Sequence, residues 1–280
     1  MFRYTFLRGV VLLFFLLFSA IVFADTHTTI LTTAVLESFE EDPNKGWGEA
    51  TTRWIARGSK FISREYDENS GEVVGTYPKT ASAEAYPTAL FGIKSEKNEF
   101  GQPRKAFGIM GKFDRKGYNY LEIIPARLAD ENTKEEDIIY EDINTGAKWV
   151  HAPVKIPGRV QNFDLWVWGS NYDYYLDAHF QDYRGMVHSF RMGDLKYAGW
   201  RLLRTAIPGS IPQAEPYIPR FKPLVLTKFV LWTRPHERVD GFYIYLDELK
   251  VLTDVYEGRF DGDDLADIET TQDIWASGSR

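Results

Sequence analysis

Phe242-Tyr243-Ile244-Tyr245-Leu246-Asp247-Glu248-Leu249-Lys250-Val251-Leu252-Thr253-Asp254 is the stretch on which the reading of this chain turns. Rings and aliphatic side chains dominate its first half. Apolar and polar residues then alternate from Leu249 to Thr253, the period of two that a half-buried β-strand requires. The stretch predicts one strand over 241–247 and a second over 249–252.

Working backward, the same pattern predicts strands over 34–39, 53–62, 106–113, 119–124, 160–168, 172–181, 186–192, 200–207 and 224–232, separated by clusters of Gly, Pro, Asn and Asp. So many short strands with few helical periods predict an all-β fold, a two-sheet β-sandwich or jelly roll with long loops. Two segments break the rhythm. Residues 126–146 are charged, with Glu131, Lys134, Glu135, Glu136 and Asp137, and read as an exposed insertion with a helical turn or two. Residues 208–223 carry Pro208, Pro212, Pro216, Pro219 and Pro223, which cannot donate to a ladder, and read as a long ordered loop.

Composition sets the outer limits. The 280 residues are 44% apolar, with 19 Phe, 16 Tyr and 8 Trp, enough for a sizeable core and unlike a disordered chain. Arg3 and Arg8 precede an apolar run from Val10 to Phe18, and Val22-Phe23-Ala24 has the small residues a signal peptidase needs. Residues 1–24 therefore read as a cleaved signal peptide rather than a retained anchor, because the run falls short of the ~20 residues of a spanning helix. The remainder reads as a single β-sandwich domain over 25–255 and an acidic C-terminal tail over 256–280, with no membrane contact after cleavage. There is no cysteine, so export brings neither a disulfide nor a lipid anchor, and stability must come from the core. Without Arg3 and Arg8 the 33 basic residues become 31 against 40 acidic, a net charge of −9 that disfavours nucleic acid and anionic lipid as partners.

The centre of the chain gives the sharpest expectation. Phe163, Leu165 and Val167 share one face of their strand, and Trp166 and Trp168 the other. A two-residue turn at Ser170-Asn171 would pair Val167 with Tyr174 and Trp166 with Tyr175, placing Trp166, Trp168, Tyr175, His179 and Arg191 on one semi-polar face. Such a face suits a partner protein or a glycan, since rings stack on the apolar side of a sugar while Asp, Asn and His bind hydroxyls. The bland alternative is that both tryptophans are core or lie beneath a loop. Val35-Leu36-Glu37-Ser38-Phe39-Glu40, followed by Gly46-Trp47, also resembles the opening of some carbohydrate-binding jelly rolls.

No cofactor is expected, with one qualification. Glu40 and Asp247 sit on the first and last strands, which such folds often tie together with a structural calcium; that ion takes six to eight oxygens. Asp261-Gly262-Asp263-Asp264 is rich in carboxylates but lacks EF-hand spacing. The five histidines, His27, His151, His179, His188 and His236, show no zinc spacing, there is no nucleophile-elbow motif, and no acid pair stands out among 40. No catalytic residue is assigned.

The 242–265 region, through Phe260-Asp261-Gly262-Asp263-Asp264-Leu265, resembles the C-terminal signature of the spirochaete flagellar filament outer-layer (sheath) protein family, FlaA, and the likeness extends back through Gly199-Trp200, Ile207-Pro208 and Phe229-Val230-Leu231-Trp232-Thr233. The resemblance covers roughly the C-terminal third with some specificity and the middle more loosely. It implies a non-enzymatic structural subunit of the periplasmic flagellar filament sheath, coating the flagellin core and contributing to motility. Flagellin core proteins and other sheath subunits would be its partners. The rival expectation is a secreted jelly-roll carbohydrate-binding protein, and a third is a jelly-roll glycosidase.

Overall fold

Alternating side chains produce sixteen strands in the computed structural model, which describes residues 29–40, 53–93, 96–141, 146–214, 222–255, 272, 275 and 276. The leader, Gly46-Trp47, the Asp261–Asp264 carboxylates and nearly all of the acidic tail lie outside the described residues. The strands are β1 (Leu31–Glu37), β2 (Arg53–Gly58), β3 (Arg64–Tyr66), β4 (Val73–Thr76), β5 (Lys79–Ala83), β6 (Ala106–Gly111), β7 (Tyr120–Leu128) and β8 (Ile138–Glu141). They continue with β9 (Lys148–His151), β10 (Val154–Lys155), β11 (Arg159–Ser170), β12 (Tyr175–Gln181), β13 (Val187–Asp194), β14 (Ala198–Ala206), β15 (Val225–Trp232) and β16 (Phe242–Asp254). A short helix, α1 (Thr88–Phe91), and a 3-10 turn at Glu135–Asp137 accompany them.

A six-stranded sheet runs β14-β11-β16-β6-β5 with β1 also on β16, and an eight-stranded sheet runs β13-β12-β15-β7-β9-β8 with β10 on β15 and β2 on β7. A separate ribbon pairs β3 with β4. The expected all-β sandwich is present. Phe163, Leu165, Val167, Phe242 and Leu246 of the first sheet are fully buried against Leu176, Ala178, Phe180, Phe229, Leu231 and Leu121 of the second. Phe163 meets Phe180 edge-on at 4.9 Å, and Tyr174 meets Phe242 edge-on at 5.0 Å. Each such large apolar side chain contributes about 1.5–3 kcal/mol by leaving water.

The two short strands expected over 241–247 and 249–252 are one thirteen-residue strand. Its ladder with β11 slips between Asp164↔Lys250 and Trp166↔Asp247, so β16 carries one extra residue there, with Glu248 in the left-handed region at φ 47°. That bulge switches the inward set from Phe242, Ile244 and Leu246 to Leu249 and Val251, which is why the alternation seemed to restart. A second slip in the same ladder, at Val160/Asn162, is satisfied by a side chain. Buried Gln213 accepts from the Val160 N–H at 2.7 Å and donates to its carbonyl at 3.0 Å, anchoring the proline-rich loop.

The predicted hairpin does not form. β11 pairs with β14 and β16, and β12 with β13 and β15, so Val167 stands opposite Arg201 and Leu246 rather than Tyr174. The chain leaves β11 at Ser170 and crosses to the other sheet through Asn171, which takes φ 63° and donates its N–H to the Tyr197 carbonyl at 2.8 Å. Tyr172 and Tyr174 then stack at 5.4 Å and send their hydroxyls to the carbonyls of Gly241 and Arg238. The 126–146 segment is likewise not merely an exposed insertion. β7 continues to Leu128, β8 follows the 3-10 turn, and Ile139, Tyr140 and Ala147 pack on a second small core of Ile55, Ile124, Ala126 and Trp149.

Candidate functional site

Crossing between sheets divides the predicted semi-polar face in two. Trp166 and Trp168 lie on the outer face of the six-stranded sheet, and Tyr175, His179 and Arg191 on the outer face of the eight-stranded sheet. The within-strand faces were read correctly; their union was not.

On the six-stranded side, register sets Trp200, Trp168, Tyr245 and Gly108 in one row across β14, β11, β16 and β6. Trp168 stacks on Tyr243 at 5.6 Å with ring planes 15° apart and meets Tyr245 edge-on at 5.6 Å. A Cβ on Gly108 would come within 2.8 Å of the Tyr245 ring, so glycine lets that ring lie over β6. Tyr243 is 45% exposed, and Trp168 is half-buried. Sequence reasoning missed Tyr243 and Tyr245 as surface residues, although the alternation that buries Phe242, Ile244 and Leu246 turns them outward.

The next row places Trp166 opposite Asp247, and here the face is polar but closed. Asp247 is 1% exposed; its Oδ1 accepts the Glu248 N–H at 2.8 Å, while its Oδ2 and the Trp166 Nε1 are both buried without a hydrogen-bond partner. Burial pushes the Asp247 carboxyl up to about 8, with Glu248 and Glu40 adding to the rise and Arg104 opposing it. Burial also raises Glu40, which accepts from Asn98 Nδ2 at 3.0 Å and lies 3.6 Å from Arg104. The two calcium candidates are thus electrostatic neighbours. Among the described residues no group of three His, Cys, Asp or Glu side chains is placed to hold a metal ion, and Arg104 brings a positive charge to the same acids.

The eight-stranded side is ringed and charged. Tyr120, Trp232 and Tyr175 form a cross-strand row with ring separations of 5.3 and 6.4 Å. The Arg191 guanidinium lies 3.6 Å from the Tyr175 ring centroid and that of Arg234 lies at 5.3 Å. Arg191 pairs with Asp177 at 3.0 Å, Arg234 with Asp173 and Asp194 at 2.8 Å each, and Glu122 with both Lys228 at 2.5 Å and Arg57 at 2.6 Å. Burial alone would raise the Glu122 carboxyl, but those two cations hold it below the usual carboxylate range. His179 goes the other way: burial and then Lys228 disfavour its charged form. Most charges on this face are therefore neutralised within it.

Among the described residues neither face brings a nucleophile, base and orienting group together, and both offer flat, partly exposed rings. A structure of a carbohydrate-binding module of the β-sandwich superfamily, described for its promiscuous specificity, matches with a TM-score of 0.39 and 9% identity over 76% of this chain and 60% of that one. The family 11 carbohydrate-binding module of a Clostridium thermocellum cellulase matches with a TM-score of 0.36 and 8% identity over 82% of this chain and 99% of that one. At such scores the likeness carries no functional argument. A flagellar filament outer layer-like protein of Brachyspira hyodysenteriae (strain ATCC 49526 / WA1) is 27% identical over 140 residues, 47% of this chain and 65% of that relative's length. The chain thus spans just under two thirds of the curated relative it matches. The model of the family described as flagellar filament outer layer protein FlaA matches residues 48–261, well over half of the sequence and nearly all of both sheets. This chain belongs to the FlaA family of flagellar filament outer layer proteins.

Proposed function

We propose that the chain is a structural subunit of the sheath of a periplasmic flagellar filament, laid on the flagellin core beside other sheath subunits, contributing to motility and carrying out no reaction. The family match over residues 48–261 carries this reading. The finer geometry supports it. A coat subunit works by surface complementarity, and interfaces are anchored by rings desolvated at their centre. The Trp168, Tyr243 and Tyr245 group on the six-stranded sheet suits that role better than the opposite face, where Tyr175 is already held by Arg191 and Arg234. We assign core contact to the six-stranded outer face.

The test is fractionation of purified periplasmic flagella. The chain is expected to travel with intact filaments, and its deletion to change filament curvature and swimming. Unaltered filaments and swimming in the deletion strain would sink the proposal. The same exposed rings could stack on sugars. Retention on a polysaccharide gel that vanishes with Trp168→Ala, in a protein absent from filaments, would establish the carbohydrate-binding reading instead.

A further inference from the structure

The structure assigns β1 as a self-association edge: we infer that a second copy of this chain pairs antiparallel with β1 about a two-fold axis at Thr33, joining two six-stranded sheets into one. The inference goes beyond the sheath reading and stands without it.

An edge strand leaves a row of backbone N–H and C=O groups open to another chain, and proteins protect such edges with charge, proline, bulges or brevity. The other edges of the sandwich are protected among the described residues. β5 opens with Lys79 directly after Pro78, β13 carries His188, Arg191 and Asp194, and β14 carries Arg201 and Arg204. β2 carries Arg57, while β8 and β10 are four and two residues long.

β1 is open by comparison: its register shift against β16, between Val35 and Glu37, lies at the end of the strand and leaves Leu31–Val35 regular. Leu31-Thr32-Thr33-Ala34-Val35-Leu36 contains no charge, proline or glycine. The carboxylate that follows is turned away: Glu37 accepts the Phe39 N–H at 2.8 Å and the Trp54 Nε1–H at 3.2 Å. Among the described residues β1 has a ladder on one side only, with β16 from Leu31↔Asp254 to Glu37↔Leu249.

The occupant follows from the side chains. Leu31, Thr33 and Val35 lie opposite Asp254, Leu252 and Lys250 and so share the outer face of the sheet, where Leu31 is 49% and Val35 55% exposed. Ala34, on the other face, packs on the core. Antiparallel pairing of two copies centred on Thr33 sets Thr33 against Thr33, and each Leu31 against the other copy's Val35. Both exposed apolar side chains thereby meet an apolar partner on the same face, and β-branched and apolar cross-strand pairs stabilise such ladders. This strip fits itself. Because the chain is acidic overall, with a formal charge of −7 over the full sequence, an uncharged strip is also where two copies can approach with least repulsion.

The experiment uses the whole secreted chain in analytical ultracentrifugation. The expected result is a concentration-dependent dimer. Val35→Glu should weaken it about tenfold, because one substitution alters both symmetry-related pairs. The monomer fold should survive, since the new carboxylate faces Lys250, and an unchanged far-ultraviolet dichroism spectrum checks this. The absence of native cysteine permits a geometric control: Thr33→Cys should form a disulfide-linked dimer on mild oxidation, whereas Met186→Cys, at an exposed turn, should not. A monomer at every concentration, a dimer indifferent to Val35→Glu, or equal cross-linking at both cysteines overturns the assignment. Filament association of the variants is scored separately, so loss of the dimer does not by itself count against the sheath role.

Discussion

Asp247 is a buried acid without a full set of partners, and that defines its pH behaviour. Its folded value of about 8 stands above the ordinary 3.8, so the folded state holds a proton that the unfolded state releases through the intervening range. Its favourable contribution is therefore complete below 3.8 and is lost as pH rises to about 8. Asp247→Asn keeps the Oδ1 acceptor for the Glu248 N–H and removes the ionisation. It should leave stability near pH 4 almost unchanged and raise it by about 1–3 kcal/mol near pH 9. Denaturant unfolding at both values checks this, and an equal effect at the two would refute it. Glu37→Ala should act oppositely, costing about 1–3 kcal/mol by stranding the Trp54 Nε1–H and the Phe39 N–H. The sequence reading set Glu40 and Asp247 on the first and last strands, and the two are electrostatic neighbours although Glu40 lies beyond the end of β1 at Glu37. Glu248 was not legible as their neighbour, because its approach to them depends on a left-handed bulge that a carboxylate side chain does not announce.

Among the elements, the crossing after β11 separates what the sequence discloses from what it withholds. Strand faces follow from a period of two, and Phe163, Leu165 and Val167 are buried as their alternation requires, as are Tyr174, Leu176, Ala178 and Phe180. Parity is silent on which sheet the next strand joins. A hairpin and an arch both keep inward residues inward, and the difference lies in long-range acceptors, here the Gly241 and Arg238 carbonyls 69 and 64 residues away. Short strands in charged surroundings, such as β8, were hidden because their packing partners are distant in sequence. Tyr174→Phe leaves the ring stacked on Phe242 and removes only the hydroxyl that caps the Arg238 carbonyl. It should cost about 0.5–1.5 kcal/mol without disturbing the sheet spectrum, and Tyr174→Ala about 3–5 kcal/mol. Similar losses for the two in chemical denaturation would show that the hydroxyl, not the ring, holds the crossing.

Over the whole molecule, two opposed sets of acids shape stability, and under the proposed orientation two opposite faces divide recognition. Asp182, Asp173 and Glu122 would be raised by burial, but their partners, chiefly His188, His236 and Lys228 respectively, hold them low. Their stabilisation is present above the unfolded values and lost as pH falls, whereas that of Glu40, Asp247 and Glu248 is lost as pH rises. The unfolding midpoint should therefore peak between the two ranges. Recognition divides by a different logic. On the six-stranded face the Trp168 and Tyr243 rings stack on each other, so truncating them removes contact area and little internal bonding. On the eight-stranded face Tyr175 lies against two guanidinium groups that also pair with Asp177, Asp173 and Asp194, so its loss loosens a network within the subunit. Under the proposed orientation, Trp168→Ala combined with Tyr243→Ala should cost about 1–2 kcal/mol of stability and release the chain from isolated filaments. Tyr175→Ala should cost a similar amount and leave it attached. Sedimentation of filaments with each variant at equal concentration separates the cases: release by Tyr175→Ala but not by the double variant would reverse the orientation, and release by neither would place the core contact off both ringed faces.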